Sequence, residues 1–193
     1  MHVSDLRDFL ELPEDAPGPA VKMAERLRAV VRAATAEEPG ETWESALICT
    51  RRPGRQACPG HLAVLRTDVP AEIHWRCTSC GEEGVVHGWV GSPFDLRRSR
   101  GEPPGADEAT IAVPDEVAAA LRELQLLDLD CERLVYRARA VDGEVLLSGT
   151  PDHLNDLLGY VAAESSHEPN WRRQARLDRA FAALSDAVRD VGP

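Results

Sequence analysis

The apolar positions near the start of the chain follow a helical period. Apolar residues recur at spacings of three and four between residues 19 and 36, which predicts an amphipathic helix there. These residues are Ala24, Leu27, Val31 and Ala34. A shorter helix is predicted between Ser4, as its N-cap, and Pro13, which cannot continue a helix. We interpret residues 1–42 as an N-terminal helical segment.

The pattern changes to strand-like alternation over residues 43–99. Four segments separated by Gly and Pro have the length of ordinary strands. Their sequences are TWESALIC, HLAVLRT, AEIHWRC and GVVHGWV. In the third segment Ile73, Trp75 and Cys77 fall on one face, because side chains alternate along a strand. The pattern predicts a small antiparallel β module.

Residues 100–113 are rich in Gly, Pro and charge, which is typical of a linker. Helical spacing then returns in PDEVAAALREL, and Asp142-Gly143 predicts a hairpin turn between LVYRARAV and EVLLSGT. Thr150 and Asn170 are predicted N-caps of two further helices. The apolar stripe predicted for the last helix comprises Leu177, Phe181, Leu184 and Val188.

The predicted fold class is therefore α+β. A small zinc-ribbon-like antiparallel β module is flanked by helices and followed by a unit of one helix, a β-hairpin and two helices over residues 114–193. The zinc in this description is inferred from the cysteines.

Cys77-Thr78-Ser79-Cys80-Gly81 has the form of a zinc knuckle. Two thiolates three positions apart on a tight turn can reach one tetrahedral ion, and the glycine tolerates the positive φ of such a turn. Cys49 and Cys58 are further apart, but the cost of closing a loop grows slowly with its length. We predict a structural four-cysteine zinc site formed by Cys49, Cys58, Cys77 and Cys80.

His61 offers an alternative ligand, because Cys58-Pro59-Gly60-His61 is itself a pair of ligand residues at knuckle spacing. The competing set is Cys58, His61, Cys77 and Cys80. Both sets fill the tetrahedral positions of zinc with protein ligands, so both predict a structural site.

Three segments carry a resemblance to known proteins. They are CTRRPGRQACPGHLAV, IHWRCTSCGEEGVVHGWVGSPFDLR and LNDLLGYVAAESSHEPNWRRQARLDRAF. They resemble a group of small bacterial proteins that contain a zinc ribbon and have no assigned activity. The resemblance extends from Cys49 to Phe181 and is most specific around the cysteines, which are also similar to zinc ribbons in general. It implies bound zinc and no particular reaction.

Charge is unevenly distributed along this chain of 193 residues and net charge −11. Residues 51–100 carry a net charge of +3, whereas the segments before and after them carry −5 and −9. Six arginines of the middle segment are candidate contacts for a partner or for nucleic acid, with Trp75 or Trp89 as stacking faces. They are Arg51, Arg52, Arg55, Arg97, Arg98 and Arg100. The acidic remainder would keep nucleic-acid binding weak and salt-dependent.

The sequence shows neither a secretory signal nor an apolar run long enough for a membrane span, so we expect a cytoplasmic protein. In that compartment cysteines stay reduced, which favours metal binding over disulfides. Cys131 lies apart from the other four cysteines and is expected to be buried.

Phosphate-loop, dinucleotide and serine-nucleophile signatures are absent from the sequence. Glu164 and His167 have the spacing used in di-iron bundles, but only one copy is present. We therefore expect a non-enzymatic interaction or adaptor protein with zinc as its cofactor and a protein as its partner. One alternative is a metal-dependent enzyme with a second site among Glu164, His167, His153 and Asp152. The others are a weak nucleic-acid-binding regulator and an accessory protein of a mobile element or defence system.

Overall fold

The computed structural model describes residues 2–97 and 108–191. The chain divides into two compact units, Met1–Arg98 and Ser99–Pro193. The described residues form five α-helices and eight β-strands, which confirms the predicted α+β class. None of the helices in these two ranges combines the length and the apolar character that crossing a membrane requires.

The first unit is built on a five-stranded sheet. Its strands are β1 (His2–Asp5), β2 (Trp43–Ile48), β3 (His61–Asp68), β4 (Ala71–Cys77) and β5 (Glu83–His87). Strands β2 to β5 form an antiparallel meander and correspond to the four predicted segments. Strand β1, which the sequence does not predict, pairs in parallel with β5. The unit thus joins the predicted segment 1–42 to the β module in one sheet.

Helix α1 (Gly18–Ala36) supplies the core of the first unit and packs on β2, β3 and β4. The four apolar residues that predicted this helix are all buried. On the sheet, alternate residues of β3 and β4 are buried and the residues between them are more exposed. The buried set is Leu62, Val64 and Arg66 of β3 and Ile73, Trp75 and Cys77 of β4. The apolar period of two residues in the strands and of 3.6 residues in the helix predicts this packing of one sheet face against one helix face.

A buried arginine joins α1 to the sheet. Arg66 of β3 is 5% exposed, and burial lowers the pKa of its guanidinium. Its Nη1 donates to the carbonyl oxygens of Ala34 (3.3 Å), Thr35 (3.3 Å) and Glu37 (2.7 Å). The last carbonyls of a helix have no partner within the helix. Arg66 therefore completes the C-terminal end of α1.

The second unit contains a three-stranded antiparallel sheet and four helices. Its strands are β6 (Ala109–Val113), β7 (Arg139–Val141) and β8 (Glu144–Gly149), with β8 in the centre. Its helices are α2 (Asp115–Arg122), α3 (Leu129–Tyr136), α4 (Pro151–His167) and α5 (Trp171–Val191). Asp142 and Gly143 have positive φ values of 51° and 87°, as the predicted hairpin turn requires. The side chains of Thr150 and Asn170 accept backbone hydrogen bonds at the starts of α4 and α5.

The second unit differs from the sequence prediction at two elements. The end of the predicted linker forms β6, which pairs with β8 and buries Ile111 and Val113; residues 100–107 lie outside the described residues. The first three residues of the predicted strand LVYRARAV belong to helix α3, which ends at Tyr136. The Asp128 side chain caps that helix by accepting from the Cys131 backbone N–H at 2.8 Å.

The first unit differs at its beginning. The short helix expected after Ser4 is a 3-10 helix over Leu6–Phe9, and Asp5 caps it by accepting from the Arg7 backbone N–H. Ser4 itself belongs to strand β1. The N-cap therefore lies one residue later than predicted.

We expect Arg66→Met to lower the free energy of unfolding of the first unit by about 2–3 kcal/mol, because it leaves three carbonyls near the end of α1 without their donor. Urea unfolding followed by the fluorescence of the buried tryptophans measures this loss. The exposed Arg52→Met is the matched control. A change in the Arg66 variant within about 0.5 kcal/mol of the control would contradict the assigned role.

Candidate metal centre

Four cysteines lie at one edge of the sheet of the first unit. Cys49 follows β2, Cys58 precedes β3, Cys77 ends β4 and Cys80 precedes β5. In an antiparallel meander, alternate connections lie at the same edge. The β2–β3 and β4–β5 connections, each carrying two cysteines, therefore meet there.

The four Sγ atoms all lie within 4.8 Å of one another. Cys49 Sγ is 3.8 Å from Cys80 Sγ, and Cys58 Sγ is 3.6 Å from Cys77 Sγ. A tetrahedral ion with metal–sulfur bonds of about 2.3 Å separates its sulfur ligands by about 3.8 Å. A disulfide would need about 2.05 Å, and the five cysteines are free. The cluster could therefore hold a metal ion.

The β4–β5 connection, called the second loop below, donates backbone hydrogen bonds to the sulfur of Cys77 within the same loop. The N–H groups of Ser79 and Cys80 point at Cys77 Sγ, each at 3.4 Å. Burial, the largest single cause, raises the pKa of the Cys77 thiol, but these donors and the neighbouring Cys80 and Cys58 side chains together bring the pKa down to about 7. Gly81 closes the turn with a φ of 69°, and its N–H donates to the Cys77 carbonyl oxygen. The loop thus favours a thiolate at Cys77.

The β2–β3 connection, called the first loop below, is longer, but backbone hydrogen bonds close it at both ends. The Cys49 N–H donates to the Gly60 carbonyl oxygen at 2.8 Å, and the Cys58 N–H donates to the Arg51 carbonyl oxygen at 2.9 Å. Burial raises the pKa of the Cys49 thiol to about 12. A cation among the sulfur atoms would reverse this preference, because it stabilises coordinated thiolates.

Gly60 lets the two loops touch. A Cβ atom at this position would lie 2.5 Å from Ser79 Cβ, 2.7 Å from Cys77 Sγ and 2.8 Å from the Ser79 nitrogen. All three distances are shorter than normal van der Waals contacts. Gly60 is not among the residues predicted from the sequence, although Pro59-Gly60 after Cys58 is a turn signal.

His61, the alternative ligand, begins strand β3 beside the cluster. Its backbone N–H donates to Thr78 Oγ1 at 3.2 Å, and its carbonyl oxygen accepts from the Thr78 N–H at 2.9 Å. Its imidazole Nδ1 lies 3.7 Å from Glu44 Oε1. Within residues 2–97 and 108–191, the group whose ligand atoms converge consists of the four cysteines and does not include His61. His61 thus links the two loops through its backbone.

An ion pair ties the second loop to α1. Arg26 Nη2 lies 2.9 Å from Glu82 Oε2, and both side chains are largely buried. The Arg26 guanidinium also stacks 4.2 Å from the Trp75 ring centroid. Because Glu82 is two residues beyond Cys80, the helix and the cysteine loop hold each other in place.

The six predicted contact arginines separate into three groups. Arg51, Arg52 and Arg55 are exposed on the first loop, and Arg51 Nε lies 3.6 Å from Glu82 Oε1. Arg97 pairs with Asp95 at 2.7 Å and lies over the Trp89 ring. The remaining two, Arg98 and Arg100, lie outside the described residues.

The two tryptophans predicted as stacking faces belong to the core. Trp75 is 5% exposed and Trp89 is fully buried. Neither presents a ring face on which a nucleotide base could stack, so this part of the prediction is wrong. Any contact with nucleic acid by the first unit would depend on its arginines.

The structure does not assemble the second metal site considered for α4. Asp152 and His153 lie in its first turn and Glu164 and His167 in its last, so about 16 Å of helix axis separates the two pairs. Glu164 binds the Arg173 guanidinium, and His167 Nδ1 lies 2.8 Å from the Ala163 carbonyl oxygen.

We expect Gly60→Ala to lower the free energy of unfolding of the first unit by about 1–3 kcal/mol, because the added methyl group forces the two loops apart. Thermal melting followed by circular dichroism measures the effect. Gly18→Ala is the control, since a Cβ at Gly18 meets no atom within 4 Å. Equal melting temperatures for the two variants would contradict the tight contact at Gly60.

Comparison with protein-family models, with curated proteins and with solved structures finds no match to this chain. The geometry of its own residues is therefore the basis for a functional assignment.

Proposed function

We propose that Cys49, Cys58, Cys77 and Cys80 bind one structural zinc ion and that the protein is a non-enzymatic interaction module. The observation that carries this proposal is the convergence of four sulfur atoms within 4.8 Å of one another, with one pair from the two loops at 3.8 Å and the other at 3.6 Å. Four thiolates in tetrahedral arrangement favour zinc among the common biological metals. The backbone donors around Cys77 provide the additional support that thiolate ligands usually receive.

A structural role follows from the number of protein ligands. Four cysteines occupy all the positions of a tetrahedral zinc ion and leave none for water or substrate. The ion would instead fix the β2–β3 loop to the β4–β5 loop. Bound zinc is also what the resemblance to zinc-ribbon proteins implies.

The metal-bearing edge offers a surface for a partner. All eight residues between Cys49 and Cys58 are exposed, and both ends of their loop are anchored. A loop held in one conformation binds with little loss of conformational entropy. The net charge of −11 disfavours a polyanion for the whole chain, so the proposed partner is a protein.

Purified without a metal-affinity column, the protein should contain one zinc ion per chain by elemental analysis. Cys77→Ser should lose the ion and lower the melting temperature of the first unit by about 10 °C or more, because metal-binding free energy contributes to folding in such sites. Cys131→Ser is the control, since Cys131 lies outside the cluster. Full zinc content and unchanged melting in Cys77→Ser would contradict the ligand assignment.

A second candidate function, weak binding of nucleic acid, is favoured by the exposure of Arg51, Arg52 and Arg55 on one loop without an acidic residue. If these side chains contact three phosphates, the logarithm of the association constant should fall with the logarithm of salt concentration at a slope of about −2 to −3. Fluorescence anisotropy with a labelled oligonucleotide at several salt concentrations measures this slope.

Changing the three loop arginines to Gln should abolish that binding. The control changes Arg172, Arg179 and Arg189 to Gln, which alters the net charge by the same amount on exposed positions of α5. Equal losses in the two triple variants would assign the binding to overall charge. Absence of binding by the unaltered protein at low salt would exclude this second function.

A further inference from the structure

The four sulfur ligands differ in their access to solvent. Cys49, Cys58 and Cys77 are 4%, 3% and 1% exposed, whereas Cys80 is an exposed residue. The fifth cysteine, Cys131, is fully buried, and burial raises the pKa of its thiol to about 12. A dissolved oxidant therefore meets Cys80 before any other cysteine.

The exposed cysteine has a partner on the other loop. Cys80 Sγ lies 3.8 Å from Cys49 Sγ. A disulfide between them would require the two atoms to approach by about 1.8 Å. The other close pair, Cys58 and Cys77, is 3.6 Å apart but buried. Of the two pairs at 3.6 and 3.8 Å, only that of Cys49 and Cys80 therefore contains the exposed sulfur.

We propose that hydroperoxides oxidise the zinc-loaded centre at Cys80 and convert it to a Cys49–Cys80 disulfide, with release of the ion. This inference rests on the proposed zinc site. The centre would then be a redox-sensitive switch that releases its ion on oxidation, whereas a purely structural site would keep the ion.

The reaction proceeds in two displacements. The Cys80 thiolate attacks one peroxide oxygen, the O–O bond breaks, hydroxide or alkoxide leaves, and Cys80 becomes a sulfenic acid. The Cys49 thiolate then attacks the Cys80 sulfur, the S–O bond breaks and hydroxide leaves. The two thiolates together give two electrons to the peroxide. Zinc, left with two protein ligands, dissociates.

The disulfide would join the same two loops that the ion joins. The edge of the sheet therefore stays closed by a covalent bond, while Cys58 and Cys77 become free thiols. Oxidised protein should remain folded without metal, whereas protein stripped by a chelator under reducing conditions should lose structure in the first unit. This difference separates oxidation from simple loss of the ion.

The test treats the zinc-loaded full chain with hydrogen peroxide, measures free zinc with a chromogenic chelator and maps disulfides by mass spectrometry of alkylated peptides. We expect one Cys49–Cys80 disulfide for each ion released, unchanged circular dichroism, and reversal by a dithiol with added zinc. A first disulfide other than Cys49–Cys80, or release of zinc without any disulfide, would overturn the proposal.

Two variants give a matched comparison, because three thiolates and one imidazole still form a zinc ligand set. Cys80→His removes the exposed sulfur and should slow zinc release by about tenfold or more. Cys58→His removes a buried sulfur and should release zinc at the rate of the unaltered protein. Equal rates in the two variants would overturn the assignment of Cys80 as the point of attack.

The results also distinguish failure of the redox switch from failure of the proposed zinc site. Absence of zinc from the untreated protein would overturn both. Zinc-loaded protein that keeps its ion when peroxide is added would overturn the switch alone. If either histidine variant fails to bind zinc, the disulfide map of the unaltered protein decides.

Discussion

The meeting of two loops at one edge of the β2–β5 sheet is the constraint on which the first unit depends. Cys49 and Cys58 bracket one loop, and Cys77 and Cys80 bracket the other. Their sulfur atoms come within 4.8 Å of one another only because the strands place both connections on the same side. Gly60 shows how closely the loops approach, since even a methyl group has no space there. The strand order brings the two loops together, and the spacing of the cysteines places their sulfur atoms where the loops meet.

Buried arginines extend this constraint from the sheet to helix α1. Arg26 pairs with Glu82 next to the second loop, and Arg66 donates to the carbonyls around the C-terminal end of the helix. Each guanidinium gives up solvation on burial, and the opposing carboxylate or carbonyl oxygens offset that cost. Removing either the guanidinium or its oxygen partners would leave the remaining polar groups buried without a hydrogen bond. The helix is consequently fixed in place by directional polar contacts as well as by its apolar stripe.

Local patterns in the sequence predicted most elements of the fold. Strands β2 to β5, helix α1, the hairpin turn at Asp142 and the cap at Thr150 each have a signal within a few residues of the chain. Strand β1 lacks one because it forms through pairing with β5, about 80 residues later. The last turn of helix α3 falls within the predicted strand LVYRARAV, because Leu134 and Val135 are consecutive apolar residues whose period is ambiguous. Phe181, predicted to face inward, is 39% exposed, since the buried side of α5 passes through Ala180 instead.

The candidate site followed the same division between local and distant information. The Cys77–Cys80 knuckle was readable from spacing, but the choice between Cys49 and His61 depended on where β2 ends relative to β3.

Charge adds a further link between the site and its surroundings. Zinc with four thiolates carries a net charge of about −2, which nearby cations must offset in a partly buried setting. With zinc bound as proposed, the exposed Arg51, Arg52 and Arg55 on the loop between Cys49 and Cys58 would offset part of this charge. These three arginines would couple the state of the ion to the surface that a partner would meet. The proposed oxidation would convert two thiolates to a neutral disulfide and leave the other two as thiols, so the net charge of about −2 would be lost with the ion. The arginines would remain, and the surface would become more basic as the centre is oxidised.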